Sequence, residues 1–311
     1  MITGISHRQI KRPSIASRIM KDWQLYFFVL LPVSYFIVFN YLPLYGIQIA
    51  FKNYKLAAGI AGSQWRGLEN FASFFSSYSC WRMIANTFLL NVYGLLIGFP
   101  IPIILALLLN RLANPRYKKI TQTIIYIPHF ISTVVMAGML YIMLDTKGVI
   151  NVIIEHLGGE PIYFMAEPGW FRTIYIASGE WQNAGWNTIL YIASLTAIDP
   201  EIYEAATIDG ASIRQKIWHI DIPYVIPIAM MMLILNSGRL LGGDSTKALL
   251  LQTPGNTATS DIIGVYVYNI GLGKGQFSYT AAIGLFQNVI SLIMVLSVNT
   301  ISKKVSSIGM F

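Results

Sequence analysis

The chain has 311 residues, 55% of them hydrophobic and only 12% charged, whereas ordinary soluble domains carry about 25% charged residues. With a mean hydropathy of +0.56, this composition excludes a large soluble core and points to an integral membrane protein. The net charge of +8 needs no nucleic-acid partner, since membrane proteins gather Lys and Arg in cytoplasmic loops, and the single cysteine, Cys80, excludes an intrachain disulfide and a cysteine metal cluster.

A membrane span needs about 20 mostly apolar residues. Taken in order, the candidate spans are 24–45, 84–109, 121–144, 171–197, 223–241 and 277–300. The first opens with Trp23 and Tyr26 as interface anchors. It follows a basic stretch too long for a leader, is itself too long for a leader's apolar core, and is not clearly followed by a small-residue cleavage site, so it is expected to be a retained span. Pro100 and Pro102 kink the second. The fourth is the most polar. The fifth is rich in Met. The sixth carries Ala281, Ala282 and Gly284, which permit close helix contact.

Positive charge orients these spans. Arg8, Lys11, Arg12, Arg18 and Lys21 precede the first, and Arg111, Arg116, Lys118 and Lys119 crowd the short loop after the second. Arg214 and Lys216 lie between the fourth and fifth, and Lys303 and Lys304 follow the sixth. The positive-inside rule then puts both termini and residues 199–223 in the cytoplasm. The expected organisation is a cytoplasmic tail at 1–23, a six-span domain at 24–300 and a cytoplasmic tail at 301–311. The opposite side carries the long loops 46–83, 145–170 and 242–276, large enough to receive an external partner.

Residues 199–223 are polar and helix-forming between two apolar runs. Asp199 suits a helix N-cap, Pro200 its first position and Glu201 its positive end. Ile202, Ala205, Ala206 and Asp209 share a face, and Gly210 permits the left-handed turn that stops the helix. Ser212 and Gln215 have capping-box spacing for a second helix, lined by Ile213, Ile217 and Ile220 and expected to end at Pro223. Two alanines admit a close backbone approach, and Glu204 and Asp209 offer carboxylates to a basic partner. An ordinary helical loop has the same spacing.

This segment resembles the EAA motif of ABC importer permeases, E-A-A-x3-G-x9-I-x-L-P. It reads Glu204-Ala205-Ala206, Gly210, Ile220, Ile222 and Pro223, with Ile222 where Leu is usual. The stretches GIQIAFKNY at 46–54, GLENF at 67–71, IYIPHFIS at 125–132 and 265–290 are similar to the LplB-like branch, permeases of polysaccharide and oligosaccharide importers. The resemblance implies an all-α type I importer permease fold with a cytoplasmic coupling helix. It makes Glu204, Ala205, Ala206, Asp209 and Gly210 the contact to a separate ATPase. It further implies a bacterial inner-membrane location, a second permease subunit, two ATPase copies and an extracytoplasmic solute-binding protein that delivers the oligosaccharide. Lipid would surround the spans.

No catalytic constellation is legible. His7, His129, His156 and His219 are scattered, and no HExxH or G-x-S-x-G pattern occurs. Gly271, Gly273 and Gly275 surround Lys274, but the Walker pattern is absent, and the run reads as a turn. The expectation is therefore a non-enzymatic subunit without its own cofactor or metal, with ATP and Mg held by the partner ATPases.

Polar groups at membrane depth face a cavity or another helix. The fourth candidate span offers Glu180, Trp181, Asn183, Trp186, Asn187 and Tyr191. Asn183, Trp186 and Asn187 recur at i, i+3, i+4, and aromatic faces with amides suit sugars. A polar helix seam is the plainer alternative. Asn236, Arg239 and Asn288 are the further candidates for a substrate path. Rival functions are an importer of a non-sugar solute, an ion-coupled secondary transporter, which would show inverted repeats and paired intramembrane acids, and an enzyme acting on lipid-linked sugars.

Overall fold

The computed structural model describes residues 21–306; the basic residues Arg8, Lys11, Arg12 and Arg18 and residues 307–311 of the C-terminal tail lie outside them. Among the described residues the regular structure is helical apart from a two-residue antiparallel pairing in which Lys52 faces Trp65 and Asn53 faces Gln64. Helix α1, Trp23–Phe36, continues through a π turn and a 3-10 segment to Phe51, six residues beyond the expected end. Next come α2 (Glu69–Phe75), α3 (Cys80–Gly98) and α4 (Pro100–Asn110). Because Pro100 starts α4 where its missing N–H is free to be unpaired, α3 and α4 run on as one apolar span, Cys80–Asn110.

The expected third span is not one rod. Helix α5 (Pro115–Tyr126) passes into a 3-10 turn, Ile127–Phe130, and α6 (Thr133–Met143) leaves at 95°. Pro128 withholds an N–H from the turn, and Ser132 caps α6 by accepting from Val135 N. The carbonyl of Ile131, freed at the break, accepts from Gln182 Nε2 at 2.6 Å. Broken helices survive in a membrane where a neighbour supplies the lost partner in this way.

After α7 (Val149–His156), α8 (Pro168–Thr196) crosses the whole molecule in 29 residues, about 43 Å at helical rise. It leads directly into α9 (Pro200–Ile208). One turn of helix, α10 (Ile213–Lys216), then enters a π turn, Ile217–Asp221, and α11 (Ile222–Ser237). Pro223 does not end this helix. The π turn, closed by Ile222 N–H on Ile217 O, widens the backbone just ahead of the proline, and Ile213–Ser237 runs as one span. Helices α12 (Ser245–Leu251), α13 (Ile263–Lys274) and α14 (Phe277–Ser306) follow to the end of the described residues. Of the glycine run expected as a turn, Gly271 and Gly273 are helical, and Gly275 alone adopts the left-handed cap, at φ 68°.

Among the described residues four helices are long and apolar enough to cross a membrane, Trp23–Phe51, Cys80–Asn110, Ile213–Ser237 and Phe277–Lys304, and five if the bent α5–α6 pair is one span. Helix α8 is long enough but too polar to join them by composition.

Two apolar cores pin the ends of α8. At one end Phe171, Ile174 and Ile176 pack with Leu90, Ala137, Ala248, Leu251 and Val265. The segment 242–276, expected as an outer loop, is thus a packed helical layer. At the other end Tyr191, Ile192 and Leu195 pack with Ala106, Leu109, Ile220, Val225 and Ala229, and Tyr203 and Ala206 of α9 rest on the same cluster. Between the cores Gly185 lets α8 approach α5: an added Cβ would stand 2.6 Å from the carbonyl carbon of Ile125.

Candidate functional site: an elbow and a cavity on one helix

The elbow forms by local rules. Asp199 caps α9 by accepting from Glu201 N at 3.0 Å. At the other end Gly210, φ 75°, donates to Thr207 O, and Ala211 N donates to Ala206 O, the paired closure of a left-handed helix stop. Ser212 and Gln215 then complete a reciprocal capping box. Lys216 Nζ donates to Thr207 Oγ1 at 2.8 Å and straps α10 to α9. Glu204, Ala205, Asp209 and Gly210 are exposed, whereas Ala206 is half-buried on the inner core. Ile208 is 87% exposed, and Ile213 and Trp218 stand out beside it, so the open face is apolar with a carboxylate edge. Sequence periodicity placed both alanines at the centre of one face; the fold divides them, Ala205 outward and Ala206 inward.

On the inner face Tyr203 donates its hydroxyl to Asp221. Burial, and then the neighbouring Asp221 carboxylate, push the Tyr203 phenol up to about 12, so it remains a proton donor at neutral pH.

The middle of α8 lines a cavity of about 570 Å³ bounded by α3, α4, α8, α11 and α12. It gathers Glu180, Asn183, Trp186, Asn187, Tyr191, Asn236 and Arg239. Trp181 instead lines a smaller groove with Ile101, Leu105 and Ile124, which Glu180 also borders. Asn288 is exposed on α14, away from both. One helix can present only part of its circumference to a cavity, and Trp181 falls on the far side of Asn183.

Trp186 is the most built feature of the cavity wall. Its ring stacks on His129 at 4.3 Å and 7°, with Phe130 edge-on at 5.8 Å. His129 Nδ1 lies 3.1 Å from Asn183 Oδ1, and Asn183 Nδ2 donates to Gly179 O. The indole is thus backed and held, with 42% of its residue surface still open. Such a shelf suits the C–H face of a sugar ring, with Asn187 and Asn236 beside it for hydroxyls.

Two cations and two acids also border the cavity. Arg239 is exposed and, among the described residues, makes no ion pair. Lys247 is buried: its Nζ donates to Tyr175 O and lies 4.5 Å from the centre of that ring. Asp244 caps α12 through Lys247 N at 3.0 Å. Glu180 is half-buried, with Oε2 lacking a hydrogen-bond partner among the described residues. It fits only because Gly98 opposite has no side chain: an added Cβ would meet the Glu180 carboxyl carbon at 2.8 Å.

Sequence reasoning missed His129, Lys247, Asp244 and Tyr175 as cavity residues. His129 reaches Trp186 because the helix breaks beside it, and Lys247 reaches α8 because a long connection folds inward. Neither depends on local spacing. A lysine immediately ahead of the apolar run 248–251, after Asp244, Ser245 and Thr246, was the available signal.

A family model described as "Binding-protein-dependent transport system inner membrane component" matches residues 98–307. The polygalacturonan/rhamnogalacturonan transport system permease protein YteP of Bacillus subtilis (strain 168) is 38% identical over 311 residues, spanning 100% of this chain and 97% of the relative. Protein LplB of the same organism is 38% identical over 293 residues, 94% of this chain and 92% of the relative. Among solved structures, a chain of a bacterial ABC transporter involved in the import of the acidic polysaccharide alginate superposes with a TM-score of 0.86 at 36% identity, covering 94% of this chain and 99% of that one. A second structure, of a bacterial alginate ABC transporter in complex with an alginate pentasaccharide-bound periplasmic protein, gives 0.86 and 36% over 95% and 99%.

Proposed function

The chain belongs to the family of binding-protein-dependent transport system inner membrane components, and from that premise we propose that it is one permease subunit of an ATP-driven importer of oligosaccharides. Counting α8 as a span makes six, with α9 and both termini on the cytoplasmic side. A second permease completes the pore, one of two copies of a separate ATPase seats on the open face of α9 and the other on the second permease, and a solute-binding protein docks on the opposite side. ATP and Mg belong to those ATPases; this chain catalyses nothing.

What carries the reading is continuity. Helix α8 bears the cavity wall in its middle and turns straight into the capped elbow. Cavity residues Tyr191, Phe99 and Met232 share one packed core with Tyr203 and Ala206 of α9. Packed cores shift between discrete arrangements and do not deform smoothly. A push on Glu204–Gly210 is therefore delivered to the walls around Trp186. Closure of the ATPases around ATP draws the elbow and opens the cavity toward the binding protein; hydrolysis resets it.

The cavity also favours a carboxylate-bearing sugar. Arg239 presents an uncommitted guanidinium beside Asn236, one turn away, and a relative of matching fold imports an acidic polysaccharide. The test is uptake by the importer reconstituted with its partner subunits and binding protein. Trp186→Ala is expected to raise the KM for oligosaccharide about fivefold, the loss of roughly 1 kcal/mol of ring stacking. Arg239→Gln is expected to slow acidic oligosaccharides while leaving neutral ones near wild type. An unchanged KM for Trp186→Ala removes the cavity from the path, and equal losses for both sugar types in Arg239→Gln remove the charge preference.

A further inference from the structure

A polar cluster ties the elbow to two spans. Arg111 follows the last turn of α4, Asp221 ends the π turn ahead of α11, and Tyr203 sits in the middle of α9. Asp221 has no exposed surface. Its two carboxylate oxygens serve different elements: Oδ1 accepts from the Tyr203 hydroxyl at 2.5 Å, and Oδ2 accepts from Arg111 Nη2. The Arg111 guanidinium lies 5.4 Å from the Tyr203 ring centre, and Asn110 Nδ2 donates to the Tyr203 hydroxyl at 3.4 Å. Every pair among the three residues is therefore in contact.

The backbone is arranged to make this cluster. The π turn re-aims the residues that follow the capping box, and Asp221 points inward where Trp218 points out at 68% exposure. Such turns are rare and occur frequently at functional sites. A buried ion pair seldom adds net stability over an apolar packing of the same volume, but it does specify one arrangement of the elements that bear it. Stability alone is thus a weak reason for this one. Of the elbow's other polar ties, the capping box closes α10 on itself and the Lys216–Thr207 strap reaches only from α10 to α9, so α9 otherwise meets the spans through apolar packing of Tyr203 and Ala206.

We propose that Asp221 is a positioning residue for energy coupling, which clamps α9 through Tyr203 and α4 through Arg111 so that displacement of the elbow moves both α4 and α11. This rests on the importer reading above. Without the clamp, only the apolar core links α9 to the spans, part of the elbow's displacement is lost, and more ATP is hydrolysed for each sugar moved.

The experiment uses the complete importer in proteoliposomes and measures two quantities together: oligosaccharide taken up and ATP hydrolysed under stimulation by the loaded binding protein. Asp221→Asn keeps the shape and an acceptor for Tyr203 but removes the charge that holds Arg111. The expected result is an assembled complex whose sugar transported per ATP falls about tenfold, within the range by which mutations along a coupling network act. Tyr203→Phe removes only the link to α9 and leaves the ion pair intact. It is expected to lower the same ratio about threefold, and in combination with Asp221→Asn to lower it by less than the product of the two single effects, as members of one network behave. If Asp221→Asn does not assemble, Tyr203→Phe alone decides. A wild-type ratio in either assembled variant overturns the proposal, as does a parallel fall in uptake and ATP hydrolysis, which marks a merely structural contact. ATP-independent uptake by the unmutated complex would instead overturn the importer reading.

Discussion

Gly210→Val isolates the turn that ends the coupling helix. Gly210 has φ 75°, and a Cβ added there meets nothing within 4 Å. The substitution therefore creates no collision with the rest of the protein, and its whole cost lies in the backbone. Holding a β-branched residue in the left-handed region costs about 1–2 kcal/mol. That corresponds to a factor of about 5–30 in the population of the native turn. Once the turn is left, the Gly210–Thr207 and Ala211–Ala206 bonds, and the strap from Lys216 to Thr207, are lost with it. Gly210→Asn is the control, because Asn tolerates this conformation and is used in its place at helix stops. The assay is ATP-driven oligosaccharide uptake by the reconstituted importer, normalised to assembled complex. Uptake should fall about tenfold for Val, in line with the turn population, and stay near wild type for Asn. Equal activity of the two variants would show that the conformation of the turn is not what matters, and wild-type activity in both would take the elbow out of the mechanism.

Two further substitutions test the frame that holds the cavity. Gly185→Ala places a Cβ 2.6 Å from the Ile125 carbonyl carbon and 3.2 Å from its Cβ. The α5–α8 contact must open, at a cost of about 1–3 kcal/mol, read as a lower thermal midpoint in detergent; an unchanged midpoint refutes the close packing. Asn151 is fully buried, donates to Asp145 O and Ile162 O, and accepts from Ile162 N, each at 2.8 Å. Asn151→Ala leaves buried backbone groups unpaired at ~1–3 kcal/mol each. The 145–162 segment should then exchange its amide hydrogens faster while α8 stays protected, and equal protection of that segment in the variant would contradict the bonding described.

Local chemistry was readable wherever it was self-contained. Asp199, Gly210, and Ser212 with Gln215 satisfy helix ends within a few residues of themselves, and the structure forms each as the sequence dictates. The polar side of α8 was readable too, because spacing along one helix fixes which residues share a face. Trp181 shows the limit of that reading: membership of a polar span does not say which side meets the cavity. The fate of prolines was less legible. Pro223 was expected to stop a helix and is accommodated by a π turn, while Pro128 helps bend a span by 95°. Whether a proline breaks, bends or merely perturbs depends on where the freed carbonyl finds a donor.

The sequence by itself determined a helical membrane chain, its elbow and the polar line along α8, because hydropathy, capping and helical period act over a few residues at a time. Only the tertiary structure decided that Gln182 heals the break at Ile131, that His129 backs Trp186, and that Asp221 meets both Arg111 and Tyr203. Those contacts join residues from 18 to 110 positions apart, where separate elements meet. A polar group at membrane depth must find a partner somewhere, but which one it finds is set by the packing of whole helices and not by its neighbours in the chain.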